Sequence, residues 1–375
     1  MMARAGSGKT YYISNDFTKT ENVLFITFTN QNVENIRREI YKRFKNKPPN
    51  NYRIVTFSSF LYSWIIRPLE PLLPFNQSIE SDGVDLITEP PLPSIKLANN
   101  YRVQNPLYES VDKLGHYLNK NNNQYFNSRM SKLIIKHLNK NKKTINRNIE
   151  ERLVGLVDTI YIDEFQDYKG DDFKIINLLL RLESIRVTAV GDFYQHSVAP
   201  SFETSQYPYK KNKLDVTEEE FIDSFPKSKI EVDTDTLISS RRVTEDMCRL
   251  ITDKLGIDIY SSNERKGKLK FISELKELKE LLYDKNCTKL VFSNSSKFPY
   301  KPAINWSYSK GDTYSKTLVI LTGNLENLLD QSFSLEKSNL SQSTLNKLYV
   351  ALTRSNNETY ICTKKTYDKY NLSKI

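Results

Sequence analysis

The sequence predicts an α/β protein of two domains, each a parallel sheet with helices on both faces. Three observations predict it. Short apolar, β-prone runs such as Val23-Leu24-Phe25-Ile26-Thr27-Phe28 alternate with polar stretches of helical length. The alternation resumes after a polar, irregular stretch at 201–228 that contains Pro208 and Pro226. A chain of 375 residues is long enough for two cores. The boundary is accordingly expected between 228 and 229, giving domains 1–228 and 229–375.

The elements follow in order. A helix is expected over residues 11–17, then a buried strand over 23–28. Asn30 is expected to cap a helix over 31–44. Residues 53–57 read as the next strand, with Ser58 and Ser59 opening another helix. The pattern breaks from about 66 to 150, where prolines cluster between Pro68 and Pro93 and a Lys/Asn-rich tract follows. That stretch reads as a small helical insertion, helical around 133–138; its basic character suits nucleic acid and a plain solvated surface equally. Strands are expected at 159–162, ending in Asp163-Glu164, and at 187–190, ending in Gly191-Asp192. In the second half, strands are expected at 289–292, 317–321 and 358–362, with a helix over 344–353.

Composition narrows the function. The formal net charge of +10 favours a polyanionic partner, although a solvated basic surface gives the same number. Cys248, Cys287 and Cys362 are scattered and the chain has three histidines, which argues against a zinc site or a disulfide framework and fits a reducing cytoplasm. No apolar run approaches the ~18 residues of a membrane span, and the N-terminus carries no apolar signal segment.

The chemistry is concentrated in a few motifs. Ala3-Arg4-Ala5-Gly6-Ser7-Gly8-Lys9-Thr10 reads as a phosphate-binding loop. Glycines let backbone N–H groups turn toward an anion, Lys9 reaches the outer phosphates, and the Thr10 hydroxyl sits on Mg²⁺. Such a loop normally follows a buried strand, and only two residues precede Ala3 here. An absent strand, a start further upstream or an edge supplied by a partner would each account for that. Asp163 and Glu164 close a hydrophobic strand at the end where an open α/β sheet presents ligands. Asp163 is the natural Mg²⁺ partner, and Glu164 is placed to orient or deprotonate an attacking water. Gln195, beyond another strand end, is positioned to sense a γ-phosphate.

These residues resemble a family. Thr159-Ile160-Tyr161-Ile162-Asp163-Glu164-Phe165-Gln166-Asp167 looks like the D-E-F-Q-D box of the UvrD/PcrA/Rep branch of superfamily 1 helicases. The loop looks like that family's A-x-A-G-S-G-K-T, which makes Ala3 a family feature. Phe25 to Asn30 and Thr56 to Phe60 resemble its single-strand-contacting motifs, and Val190 to Gln195 resembles G-D-x-x-Q. Leu237-Ile238-Ser239-Ser240-Arg241-Arg242 looks like L-x-x-N-Y-R, Ser309 to Tyr314 resembles motif V, and Lys347 to Arg354 is close to L-Y-V-A-L-T-R. The boxes span nearly the whole chain.

The resemblance implies two RecA-like domains of the P-loop NTPase kind and an ATP-dependent DNA helicase or translocase running 3′ to 5′ on single-stranded DNA. ATP would be held by Ala5, Gly6, Ser7, Gly8, Lys9, Thr10 and Gly311, with Mg²⁺ on Thr10 and Asp163. The catalytic set would be Lys9, Glu164, Gln195, Arg242 and Arg354, the two arginines meeting the γ-phosphate across an interdomain cleft. Single-stranded DNA, or a single/double-strand junction, would lie on Thr27, Thr29, Asn30, Thr56, Ser58 and Tyr194, with Phe193 and Trp306 as further stacking candidates. A protein partner such as a nuclease is compatible.

The departures are specific. The stretch from Arg242 to Lys310 has no room for the family's large 2B domain, and Thr313 replaces a ribose-binding Glu. The upstream adenine-reading glutamine is missing, and His196-Ser197-Val198 replaces an aromatic tail after Gln195. The alternatives to an unwinding motor are a DNA-stimulated ATPase that does not unwind, and a nucleotide-switch subunit of a nuclease or defence complex.

Overall fold

A computed structural model of the protein describes all residues except 76–78, 98–100, 139–148, 197–204, 263–265, 339 and 374–375. Most of the Lys-rich tract and the segment after His196 therefore lie outside the described residues. The chain divides into two compact units. One comprises Thr10–Ala189 with Ser201–Ile230; the other comprises Met1–Lys9, Val190–Pro200 and Glu231–Ile375. The change of unit near 230 lies close to the boundary expected from sequence, but residues 1–9 and 190–200 group with the C-terminal part. Backbone pairing explains this: Met2 forms a parallel bridge with Gly191, and Ala3 forms one with Leu237.

In the unit that begins at Thr10, helix α1 (Lys9–Asn15) leads to strand β1 (Val23–Thr27), helix α2 (Asn30–Arg43), strand β2 (Tyr52–Thr56) and helix α3 (Phe57–Phe60). After the insertion come strand β3 (Thr159–Asp163), helix α4 (Gly170–Leu179) and strand β4 (Arg186–Val190). The sheet order is β2-β1-β3-β4, with β1 parallel to both β2 and β3. Every residue of β1 and of β3 is buried, as expected for strands covered on both faces. Helix α2 buries Val33, Ile36 and Ile40, one stripe at helical spacing. Its cap is Thr29, whose hydroxyl accepts from the Asn32 N–H; Asn30 is the first helical residue instead of the cap. Thr56 caps α3 in the same way, accepting from the Ser59 N–H, so this helix starts one residue before Ser58.

The insertion is less helical than expected. Met130–Leu133 is α-helical and Ile134–Leu138 continues it as a wider π turn. The remainder holds a small sheet of Val84–Asp85, Gln124–Phe126 and Leu118–Asn119, and a separate hairpin of Ser94–Lys96 with Arg102–Gln104. The stretch expected as an irregular connection also packs. Tyr209 and Phe221 are each 1% exposed, their rings stack 5.3 Å apart, and Phe221 also meets Phe165 and Phe173.

The other unit contains helix α5 (Glu245–Leu255), strand β5 (Lys268–Phe271), helix α6 (Leu275–Tyr283), strands β6 (Thr288–Val291), β7 (Ala303–Asn305) and β8 (Tyr314–Leu321), helix α7 (Gln342–Leu352), strand β9 (Ser355–Thr363) and helix α8 (Lys364–Leu372). Its sheet, β5-β9-β8-β6-β7, is parallel at every pairing. Alternate residues of β8 feed two cores. Val319 and Leu321 join Met247, Ile251 and Leu348 on one side; Leu318 and Ile320 join Leu278, Leu282 and Tyr370 on the other. The α/β class with two parallel sheets is the one the sequence predicts. Trp306 is fully buried in the first of these cores, its indole N–H donating to the Leu290 carbonyl, and Phe193 is 1% exposed; both are packing residues, not stacking platforms.

Candidate phosphate site and nucleic-acid surface

The loop at 3–10 adopts the conformation its glycines allow. Gly6 has φ +75° and Gly8 φ +93°, both in the region L-side chains avoid. Space is as restrictive as backbone angle. A Cβ on Gly6 would lie 2.6 Å from Arg242 Cβ and 2.7 Å from Ser240 Oγ. The Gly6 carbonyl accepts from the Arg241 N–H at 2.8 Å, which fixes the loop against the 240–242 segment. At the crest, Ser7 is buried and its hydroxyl has no hydrogen-bond partner. An orphaned buried hydroxyl among turned backbone amides fits a phosphate oxygen. Lys9 is buried and opens α1.

Thr10 and Asp163 meet: Thr10 Oγ1 donates to Asp163 Oδ2 at 3.4 Å. Asp163 is the last residue of β3 and 2% exposed. Among the described residues no group of three His, Cys, Asp or Glu side chains could hold a metal ion. One hydroxyl and one carboxylate suit Mg²⁺, a hard cation that usually completes its shell with water and substrate phosphates. Glu164 follows in a left-handed conformation, φ 53° and ψ 42°, with its N–H donating to Asp163 Oδ1 at 2.9 Å. Its carboxylate accepts from the buried Gln166 side-chain amide.

The two arginines expected at a γ-phosphate converge on backbone. Arg242 Nη1 donates to the Asp312 carbonyl at 3.3 Å and to the Thr353 carbonyl at 3.4 Å. Arg354 is 1% exposed; its Nε donates to the Val350 carbonyl at 2.8 Å and its Nη1 to the Ser309 and Asp312 carbonyls at 3.3 and 3.4 Å. Both guanidiniums therefore brace the 309–312 loop. Gly311 in that loop has φ +89° and open space where a Cβ would stand.

Gln195 is buried, its amide donating to Asp192 Oδ2 at 2.7 Å. Tyr349 Oη also donates to Asp192 Oδ2, at 3.2 Å, and accepts from the Ala5 N–H at 3.0 Å. Burial and the Asp192 charge hold the Tyr349 phenol well above its ordinary pKa. Sequence reading missed three residues here. Arg241 lies over Gly8, its side chain 3.7–3.8 Å from where a Cβ would stand. The resemblance assigns the phosphate to Arg242, the arginine at the end of the box, and leaves its neighbour Arg241 without a role. Asp192 and Tyr349 were visible only as members of their motifs.

Five of the six expected DNA contacts gather at one end of the first sheet. Thr27 and Thr56 are register partners at the C-terminal ends of β1 and β2, and Thr29, Asn30 and Ser58 follow directly. Their roles differ from expectation in part. Thr27 is fully buried, and Thr29 and Thr56 use their hydroxyls as caps. Ser58 donates to Asn127 Oδ1 at 2.6 Å, and Asn30 is exposed. Tyr194 belongs to the other unit, half-buried with the Arg4 guanidinium 5.2 Å from its ring centroid.

Residues 1–80 match the family profile described as the UvrD/REP helicase N-terminal domain. No curated protein matches the chain. Among solved structures, the chain is similar to Arterivirus nonstructural protein 10 (helicase), at 13% identity and TM-score 0.41 over 99% of this chain and 60% of that one. It is similar to that helicase in complex with DNA, at 12% identity and TM-score 0.43 over 95% and 58%. It is also similar to the PRRSV helicase, at 13% identity and TM-score 0.40 over 97% and 52%. The chain thus spans between about half and three-fifths of these structures, and likenesses this slight carry no function across. Among the described residues, no helix is long and apolar enough to cross a membrane.

Proposed function

We propose that this chain, whose first 80 residues match a UvrD/REP-type N-terminal domain, is an ATP-dependent DNA helicase or translocase that moves 3′ to 5′ on single-stranded DNA. The observation that carries the reading is the 3.4 Å pairing of Thr10 with Asp163, which joins the phosphate loop to the carboxylate at a strand end. When bound, Mg²⁺ neutralises phosphate charge and fixes the γ-phosphate. Lys9 adds positive charge at the outer phosphates, and the amides of Gly6 to Thr10 cradle them. Glu164, held by Gln166, takes a proton from the attacking water. Gln195, Arg242 and Arg354 respond to the γ-phosphate, which requires the arginines to exchange a carbonyl for phosphate oxygen. Asn30, Ser58 and Tyr194 face the strand.

ATP turnover measured with and without single-stranded DNA tests this, together with unwinding of duplexes bearing 3′ or 5′ tails. Stimulation by orders of magnitude with unwinding from a 3′ tail is expected. Stimulation without unwinding would leave a translocating ATPase, and DNA-independent or absent turnover would leave a nucleotide switch.

A further inference from the structure

We propose that Tyr349 is a positioning residue that links the phosphate loop to Gln195, so that occupancy of the loop is felt by the 192–196 segment. The proposal rests on the ATPase reading above and adds a connection within it.

The link is a chain of hydrogen bonds with one possible direction. Ala5, in the phosphate loop, donates its N–H to Tyr349 Oη at 3.0 Å. Tyr349 donates its O–H to Asp192 Oδ2 at 3.2 Å, because a carboxylate accepts only and the oxygen already receives Ala5. Gln195 donates to the same Asp192 oxygen at 2.7 Å, and the Tyr194 N–H donates to Asp192 Oδ1 at 3.1 Å. Tyr349 and Asp192 are both 0% exposed, so their polar atoms have no bulk water to fall back on. The same helix makes a second tie about one turn earlier, where Asn346 Nδ2 donates to the His196 carbonyl at 2.8 Å. Helix α7 therefore grips both ends of the 192–196 segment while its phenol touches the loop. A shift of the Ala5 amide on phosphate binding moves Tyr349, then Asp192, and so changes where Gln195 and Tyr194 point. Distance alone would not make this coupling; a shared oxygen with two buried donors does.

The test is Tyr349→Phe, which removes one oxygen and keeps the ring. We expect the KM for ATP to stay within about twofold while kcat in the presence of single-stranded DNA falls about tenfold, because the loop is intact and Gln195 is no longer fixed. The ratio of DNA-stimulated to basal turnover should fall with it. Asp192→Asn provides a second route if the first variant folds poorly, and the double variant should be no worse than the more impaired single one. Fluorescent-nucleotide binding separates the two levels of the argument. If the unmodified protein binds no nucleotide and turns none over, the ATPase reading fails. If it does both and Tyr349→Phe matches it in kcat and stimulation, the link alone is overturned. A loss that tracks the fraction of folded protein, with kcat per active site unchanged, overturns it equally.

Discussion

The acidic and the arginine parts of the proposed site are built in opposite ways. At the end of β3, Asp163 and Glu164 are presented by the strand and its turn, and each meets a side chain: Thr10 for one, Gln166 for the other. In the other unit, Arg242 and Arg354 are spent on carbonyls of residues 309, 312, 350 and 353. On the proposed reading a carboxylate at a strand end needs no rearrangement to work. A guanidinium bound to backbone must be released first, and the release is a place to put regulation.

The comparison breaks most sharply at the acidic end. Glu164→Gln and Lys9→Ala should each lower DNA-stimulated ATP turnover by about 10²–10³-fold or more, since they remove water activation and charge neutralisation. Nucleotide binding should survive in Glu164→Gln. Turnover that persists in both variants would remove the phosphate chemistry from this site altogether. Gly6→Ala comes next and probes the seam between loop and arginine segment. Its Cβ has no space beside Arg242 and Ser240, so a stability loss of about 1–3 kcal/mol is expected, read as a lower midpoint in thermal unfolding. A neutral Gly6→Ala would mean the loop stands clear of that segment.

The arginine pair sharpens the comparison further. Arg242→Ala should cut kcat by about tenfold or more, because it loses both transition-state charge and the tie to the 309–312 loop. Arg241→Ala should instead raise the KM for ATP several-fold at nearly constant kcat, as removal of a ground-state phosphate contact does. Steady-state kinetics of the two single variants decide it; the reverse pattern would exchange their roles.

The same contrast explains what the sequence disclosed. Both parallel sheets, the loop and the strand-end acids were legible because each depends on a short run whose residues act locally. Asn30 reads as a cap because Asn and Thr compete for that position, and one residue of register decides for Thr29. Thr27 is assigned to DNA by its place in a motif that resembles a strand-contacting one, but β1 is covered on both faces and buries it. Trp306 is a stacking candidate by residue type alone, and burial in the core removes it. The pairing of Arg354 with the carbonyls of Ser309 and Asp312 depends on segments meeting at long sequence distance, which no local pattern encodes.

The smallest expected effect concerns two titrations of opposite sign, one where the insertion meets α4 and one inside the insertion. Asp172 accepts from Ser131 Oγ at 2.5 Å, and burial pushes its carboxyl up to about 6. Its native pKa lies above the unfolded value of 3.8, so its contribution is present at low pH and is lost as pH rises through about 6. His116, whose Nδ1 lies 2.9 Å from the Glu109 carbonyl, is pushed by burial down to about 4. That native pKa lies below the unfolded 6.5, so its contribution is present above 6.5 and is lost as pH falls toward 4. Between about 4 and 6 the two oppose one another and the insertion's stability should vary little with pH. Asp172→Asn removes one side while keeping an acceptor for Ser131. Its thermal midpoint should exceed that of the unmodified protein by a few degrees at pH 8, and the gap should close by pH 4. The variant should also lose stability on acidification from pH 6.5, because His116 then titrates without the opposing Asp172. A midpoint difference that is the same at both pH values would show that the Asp172 carboxyl does not change protonation over that range.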